Sequence, residues 1–349
     1  MKCRRIFATA FRTMKKTLTN ALVSLEEARD IIAENEPLSI AGTEALLDQL
    51  PAGNWIGGTS SYFMTDEGGV HSADRVFVTQ LPEAESIHFA GYASFQLRDM
   101  MADAPTNGFS LVVMPSGSET LRQFARGSRF WDDIIVKPVV GWIAGIRLEE
   151  LGRATPKVYL GTERRKMECG AVVAHVSLPK PRMALVETVN IFERDESSVI
   201  EFDETASQVV ECVVNGERMR FIDFLESKGN RDGTLPIVGD FGGANINVSI
   251  QRIDRESGVV KLFAPVFSDV DYYLARSIDD YAARFEEETK RRGTDGLVFS
   301  CNCILNYLYG KLEGKRTGDI HGPITFGEVA YLLHNQTMVL LRIIEDTSV

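Results

Sequence analysis

The chain has 349 residues, 25% charged and 44% apolar, with 29 glycines and 12 prolines, a composition that excludes disordered, collagenous and disulfide-dense classes. Its net charge of −11 argues against a general nucleic-acid binder, whose phosphate contacts need a basic face. No apolar run approaches the roughly 18 residues of a membrane helix, so no membrane span is expected.

Lys2, Arg4, Arg5, Arg12, Lys15 and Lys16 make residues 1–20 a basic, acid-free leader, read as an untethered tail with Met14 as a candidate start. Ser24 and Glu27 have capping-box spacing before a helix whose apolar face carries Leu25, Ala28, Ile31 and Ile32, and Pro37 ends it. A short helix is expected at 45–50 and a strand running into a glycine turn at 54–61. An apolar strand at 109–114 breaks at Pro115-Ser116-Gly117, and Ser118 caps the helix that follows. Another apolar strand spans 139–146. From 157 onward short strands alternate with glycine or charged turns, and Asn215-Gly216 signals a hairpin. Residues 228–233 read as the linker between two domains. The longest expected helix is 275–292, with Glu-to-basic pairs four residues apart and Gly293 as its stop. A strand at 297–300, a helix at 304–309 and a final strand at 338–344 complete the chain. The passages 109–145 and 297–327 share a strand, turn, helix and glycine-rich order, which suggests a duplicated α/β unit.

No nucleophile elbow, zincin helix, Walker loop or dinucleotide fingerprint is present. Gly57-Gly58 and Gly242-Gly243 read as turns rather than phosphate cradles. Five cysteines, scattered except for Cys301 and Cys303, suit reduced thiols in a cytoplasmic protein. Cys301-Asn302-Cys303 lies where a strand meets a helix, the place where α/β sheets present ligand-contacting atoms and where a helix N-terminus lowers a thiol pKa. Packing, ligand-lining, catalytic and metal-binding readings of that tripeptide all stand, the last two with His321 or His334. His334 and Asn335 stand among hydrogen-bonding side chains at a strand entrance. Glu328 is an acid among apolar neighbours, read either as salt-bridged or as ligand-facing. His71, His88 and His175 read as isolated.

In order, these pieces resemble the FIST family of bacterial sensory modules. The residues that carry the likeness are Leu297–Cys301, Gly322–Leu340 with its Gly-Glu-Val and Leu-His-Asn-Gln-Thr elements, Asn54–Gly58, Val139–Gly145 and Lys157–Gly161. The chain departs from the family at Asn302-Cys303-Ile304 and Val329-Ala330-Tyr331. The resemblance implies a mixed α/β (α+β) protein of two sheet-containing domains, 21–228 and 229–349, that senses a small-molecule ligand in the cytoplasm and acts through a separate signalling output protein. Its pocket is expected at Cys301, Asn302, Cys303, Phe326, Gly327, Glu328, His334, Asn335, Trp142, Gly57 and Gly58. The alternatives are an enzyme with Cys301 or Cys303 as nucleophile, His334 as base and Glu328 as orienter, or a haem-based gas sensor with His334 or His321 as axial ligand. The sequence itself names no cofactor.

Overall fold

A computed structural model describes residues 20–345, so the expected leader lies outside it apart from Asn20, which opens the first strand. Ser24 accepts the backbone N–H of Glu27 while the Glu27 carboxylate returns to the Ser24 N–H, so helix Leu25–Ala33 starts where the capping box places it. The chain then runs strand Leu38–Gly42, short helix Glu44–Leu47 and strand Trp55–Thr59, which pairs parallel to Leu38–Gly42. A hairpin, Tyr62–Thr65 with Gly68–His71, and strand Arg75–Gln80 follow.

This order occurs three times. The second repeat has strand Ser86–Tyr92, a helical passage over 94–103, strand Gly108–Pro115, helix Glu119–Gly127, parallel strand Val139–Ala144, the hairpin Val158–Leu160 with Arg165–Met167, and strand Ala171–Ser177. The third has Arg182–Val189, helix Tyr281–Arg292, Leu297–Cys303, helix Ile304–Tyr309, parallel strand Gly322–Thr325, the hairpin Glu328–Ala330 with Leu332–His334, and Met338–Glu345. Each repeat builds one six-stranded sheet but hands its hairpin away. The first repeat's hairpin pairs with Gly322–Thr325, the third's with Val139–Ala144 and the second's with Trp55–Thr59. The exchange is cyclic, so the three sheets close into a pseudo-threefold ring. Hydrogen bonds follow the same circuit: Gly145 N to Thr59 O at 2.8 Å, Phe326 N to Ile143 O at 2.9 Å, and Ser60 Oγ to Ile324 O at 2.8 Å.

One glycine marks the same place in every repeat. A Cβ on Gly57, Gly141 or Gly322 would lie 2.2, 1.9 or 2.2 Å from the carbonyl oxygen of Ile40, Val112 or Ser300 on the parallel neighbour. Gly57-Gly58 is therefore buried strand, not the turn expected of it, because the crossing chains come too close for side chains. The inner faces of the three sheets share one core, in which Ala41, Val113 and Cys301 hold equivalent positions. Helices cover the outer faces.

A β module spanning 190–274, with one six-stranded and one three-stranded sheet, is inserted between the first strand and first helix of the third repeat. The boundary expected at 228/229 falls inside that module, just after its helix Phe221–Ser227. Two of the three core sheets pair strands from both sides of it, so the mixed α/β chain is organised as three repeats and an insertion rather than two halves. Asn215 and Gly216, at φ 50° and 86°, form the expected hairpin turn within the module. The helix expected at 275–292 begins six residues late, at Tyr281, because the Asp280 carboxylate caps it there and accepts the Ala283 N–H.

Candidate functional site

Strand Leu297–Cys303 runs through the whole Cys-Asn-Cys tripeptide before its helix begins. Cys301 faces the shared core, its thiol 3.5 Å from the Gly141 carbonyl oxygen, and Cys303 is equally buried. Burial pushes both thiols well above their ordinary range, the opposite of the expected lowering at a helix start. Asn302 Oδ1 accepts from Asn306 Nδ2 at 2.9 Å. Glu328 stands opposite Trp142 and His334 in the hairpin register and is fully buried without a basic partner. Its Oε2 accepts from Thr337 Oγ1 at 2.9 Å, and burial pushes its pKa up to about 8, so it is a neutral acid at pH 7. Phe63 and Val158 hold the equivalent positions in the other repeats, so one of three matching core positions has become polar.

Asn335 is buried beside this cluster with an unpartnered Oδ1. The Gly327 carbonyl accepts from Ile143 N and Thr325 Oγ1, and the Phe326 ring lies over Gly145, where a Cβ would come within 2.1 Å of it. Trp142, Gly57 and Gly58 are core. Cys301, Asn302, Cys303, Phe326, Gly327, Glu328 and Asn335 are thus brought together as packing around a buried acid. The enzyme alternative is not assembled: Cys301 bonds toward Gly141 and His334 toward Ala330, and neither thiol is acidic enough to be a thiolate near neutral pH.

His334 is different, because it lines a cleft of about 820 Å³ between the third repeat's hairpin and the inserted module. Its Nε2 is 3.2 Å from the Ala330 carbonyl oxygen, which can only accept, so Nε2 carries the proton. Nδ1 is left as a buried acceptor with no protein partner, and burial lowers the imidazole pKa to about 4. At the hairpin tip Tyr331, also on the cleft wall, has φ 62°, the left-handed region that costs a bulky residue roughly 1–3 kcal/mol. Arg129 makes a two-pronged ion pair with Asp269 (2.7 and 3.1 Å) and lies over the rings of Phe241 and Phe267. Arg292 pairs with Glu187 at 3.4 Å. The cleft's arginines are therefore already neutralised, and its walls offer apolar surface, hydroxyl and amide groups, and one histidine.

A haem does not fit these residues. The two candidate axial histidines line separate cavities, His334 this cleft and His321 one beside Asn20 and His71. The Nε2 of His334 is turned to backbone, and both cleft arginines are committed to carboxylates. Among the described residues no three His, Cys, Asp or Glu side chains converge as a metal site.

Two groups escaped the sequence reading. His175 is not isolated: Ser110 Oγ lies 2.8 Å from Nδ1, Tyr92 OH lies 2.8 Å from Nε2, and Asp103 accepts from Tyr92 at 2.6 Å. Burial lowers its pKa to about 4, and the chain of bonds satisfies polar groups inside the second repeat. Cys169 is exposed, with Ser94 Oγ at 3.0 Å and Thr120 Oγ1 at 3.6 Å, and these hydrogen bonds lower its thiol pKa. No local motif marks either group, because their partners lie tens of residues away in sequence.

Sheets and cleft together define a triplicated α/β protein with a β module inserted in its third repeat. The chain belongs to the family of unknown function DUF6976, which matches residues 23–344, all three repeats and the insertion. No curated protein matches it. No helix among the described residues is long and apolar enough to cross a membrane.

Proposed function

We propose that this protein is a cytoplasmic sensor of the FIST kind that binds a small molecule in the cleft between its third-repeat hairpin and its inserted module, and passes the bound state to a separate output protein. The observation that carries this reading is His334, which lines a cleft of ligand size and keeps a buried Nδ1 with no protein hydrogen-bond partner. The strained Tyr331 beside it supports the same reading, since such backbone persists where a side chain must be held toward a partner. The ligand has an apolar body and an N–H or O–H donor for His334.

Equilibrium dialysis of the purified protein against a bacterial metabolite extract, read by mass spectrometry, tests this. At least one small molecule should be enriched by the wild type and lost with His334→Leu or Tyr331→Gly. Enrichment of nothing, or equal enrichment by both variants, overturns the proposal.

A further inference from the structure

Each repeat leaves its first strand at the edge of a sheet: among the described residues, Asn20–Ser24, Ser86–Tyr92 and Arg182–Val189 each have a strand on one side only. An open edge presents backbone N–H and C=O groups that can pair with a further strand. In the first repeat one such group is covered, the Leu22 carbonyl accepting from Arg75 Nη2 at 2.6 Å. In the second, the Arg165 guanidinium lies against Gly91. The third repeat's edge borders the cleft instead, and Val186 and Thr188 line it.

The ladder shows which way these two residues point. Ile343 N donates to Gly296 O and Thr337 O accepts from Cys303 N, so alternate residues of Met338–Glu345, namely Val339, Leu341 and Ile343, bond toward Leu297–Cys303. Those three stand opposite Thr188, Val186 and Ala184. Facing residues of an antiparallel pair either bond to each other or turn away together. Ala184, Val186 and Thr188 therefore turn N–H and C=O to the open edge, and Val186 and Thr188 do so where they line the cleft.

A second open edge comes from the inserted module, whose six-stranded sheet ends in Ala244–Val248. Asp240 N donates to Asp271 O on the far side of its strand, so Asn245, opposite Asp240, also turns its N–H and C=O outward. Asn245 too lies on the cleft wall.

Side chains and charge narrow the occupant. Ile135, which is 81% exposed, and Phe241 give the cleft apolar surface. The charged residues that line it are already ion-paired: Arg129 with Asp269, Arg292 with Glu187 and Asp240 with Arg194. That leaves no unpaired charge for the terminal ammonium and carboxylate of a free peptide, and suits an internal segment of a longer chain.

We infer that the cleft takes an extended, uncharged segment of a partner protein, which adds a strand to the edge at Ala184–Thr188 and carries apolar side chains at alternate positions. The inference uses the strand edge and not His334, so it stands independently of the small-molecule reading. Three pentapeptides alternating threonine with valine, isoleucine or phenylalanine, acetylated and amidated so that their ends are uncharged, are titrated into the full chain and followed by amide NMR. At least one should give saturable shifts at Val186 and Thr188 and slow the hydrogen exchange of their amides. Of its two forms N-methylated at alternate residues, at least one should bind about tenfold more weakly or worse. Val186→Pro should weaken binding of the unmethylated peptide similarly, because it removes an outward N–H and leaves the ladder to Met338–Glu345 intact. No saturable shift with any of the three peptides, or full binding by both methylated forms, overturns the inference. So does a dimer in sedimentation that Val186→Pro dissociates, which would assign the edge to a second copy of this chain.

Discussion

Replacing Glu328 with glutamine should make this protein more stable at neutral pH, although it removes a buried, hydrogen-bonded acid. The folded-state pKa of Glu328 is about 8 against an ordinary 4.5, raised by burial. The unfolded chain therefore gives up this proton more readily than the folded one. The associated stability is fully present below pH 4.5 and is lost as pH rises through 8. At about 1.4 kcal/mol for each unit of pH, the wild type has lost about 3 kcal/mol at pH 7. Glutamine has the shape of the protonated acid and no titration. Its oxygen can accept from Thr337 Oγ1 and its amide can donate to Thr325 Oγ1, so the contacts of the acid survive. Urea denaturation of both proteins at a series of pH values gives the difference directly. The curves should meet near pH 4.5 and separate to about 3 kcal/mol at pH 7 in favour of Glu328→Gln. A variant less stable than the wild type at pH 7, with the same pH dependence, would refute the buried neutral acid and mean that Glu328 is ionised in the fold.

On the acid side the histidines act in the other direction. His175 and His334 have folded pKa values lowered to about 4, so stability from each is present above their ordinary 6.5 and lost as pH falls toward 4, by up to about 3 kcal/mol apiece; acid titration followed by circular dichroism, with His175→Asn as the comparison, reads the slope. Iodoacetamide should label Cys169 in the native protein and reach Cys212, Cys301 and Cys303 only after denaturation, as peptide mass spectrometry will show. Gly57→Ala drives a methyl to within 2.2 Å of the Ile40 carbonyl and should cost about 3 kcal/mol or more, whereas Gly117→Ala, with nothing within 4 Å, should cost only the roughly 1–2 kcal/mol of its positive φ. Tyr331→Gly relieves backbone strain as it removes a half-buried ring, so its unfolding free energy should stay within about 1 kcal/mol of wild type.

Local signals in the sequence were enough for individual elements. The capping box at Ser24, the Ser118 cap, the Asn215-Gly216 turn and the apolar runs at 109–114 and 139–146 each carry their own physical cause, and each element forms there. The threefold repeat was visible only as a twofold echo. Its common mark is a single glycine per repeat, and the 190–274 insertion lies inside the third. Hairpin exchange has no local signature at all, since Tyr62 and Ile324 pair across the whole chain. The candidate site was half legible. Cys301, Glu328 and their neighbours do gather, but a strand-end tripeptide reads the same whether it faces solvent or core, and here the hairpin borrowed by the second repeat's sheet buries it. The sequence marks His334 by its polar neighbours, Asn335, Gln336 and Thr337. What makes it distinctive, an unpartnered Nδ1 in a residue that lines a cleft, depends on the module folded against it.

The most direct measurement is an experimental electron-density map of the protein crystallised straight from a gentle purification in the presence of the metabolite that dialysis enriches. That molecule should lie in the cleft, with its N–H or O–H group on His334 Nδ1 and its apolar body against Tyr331 and Phe241. Density for the same molecule outside the cleft, with His334 Nδ1 left on water, would contradict it.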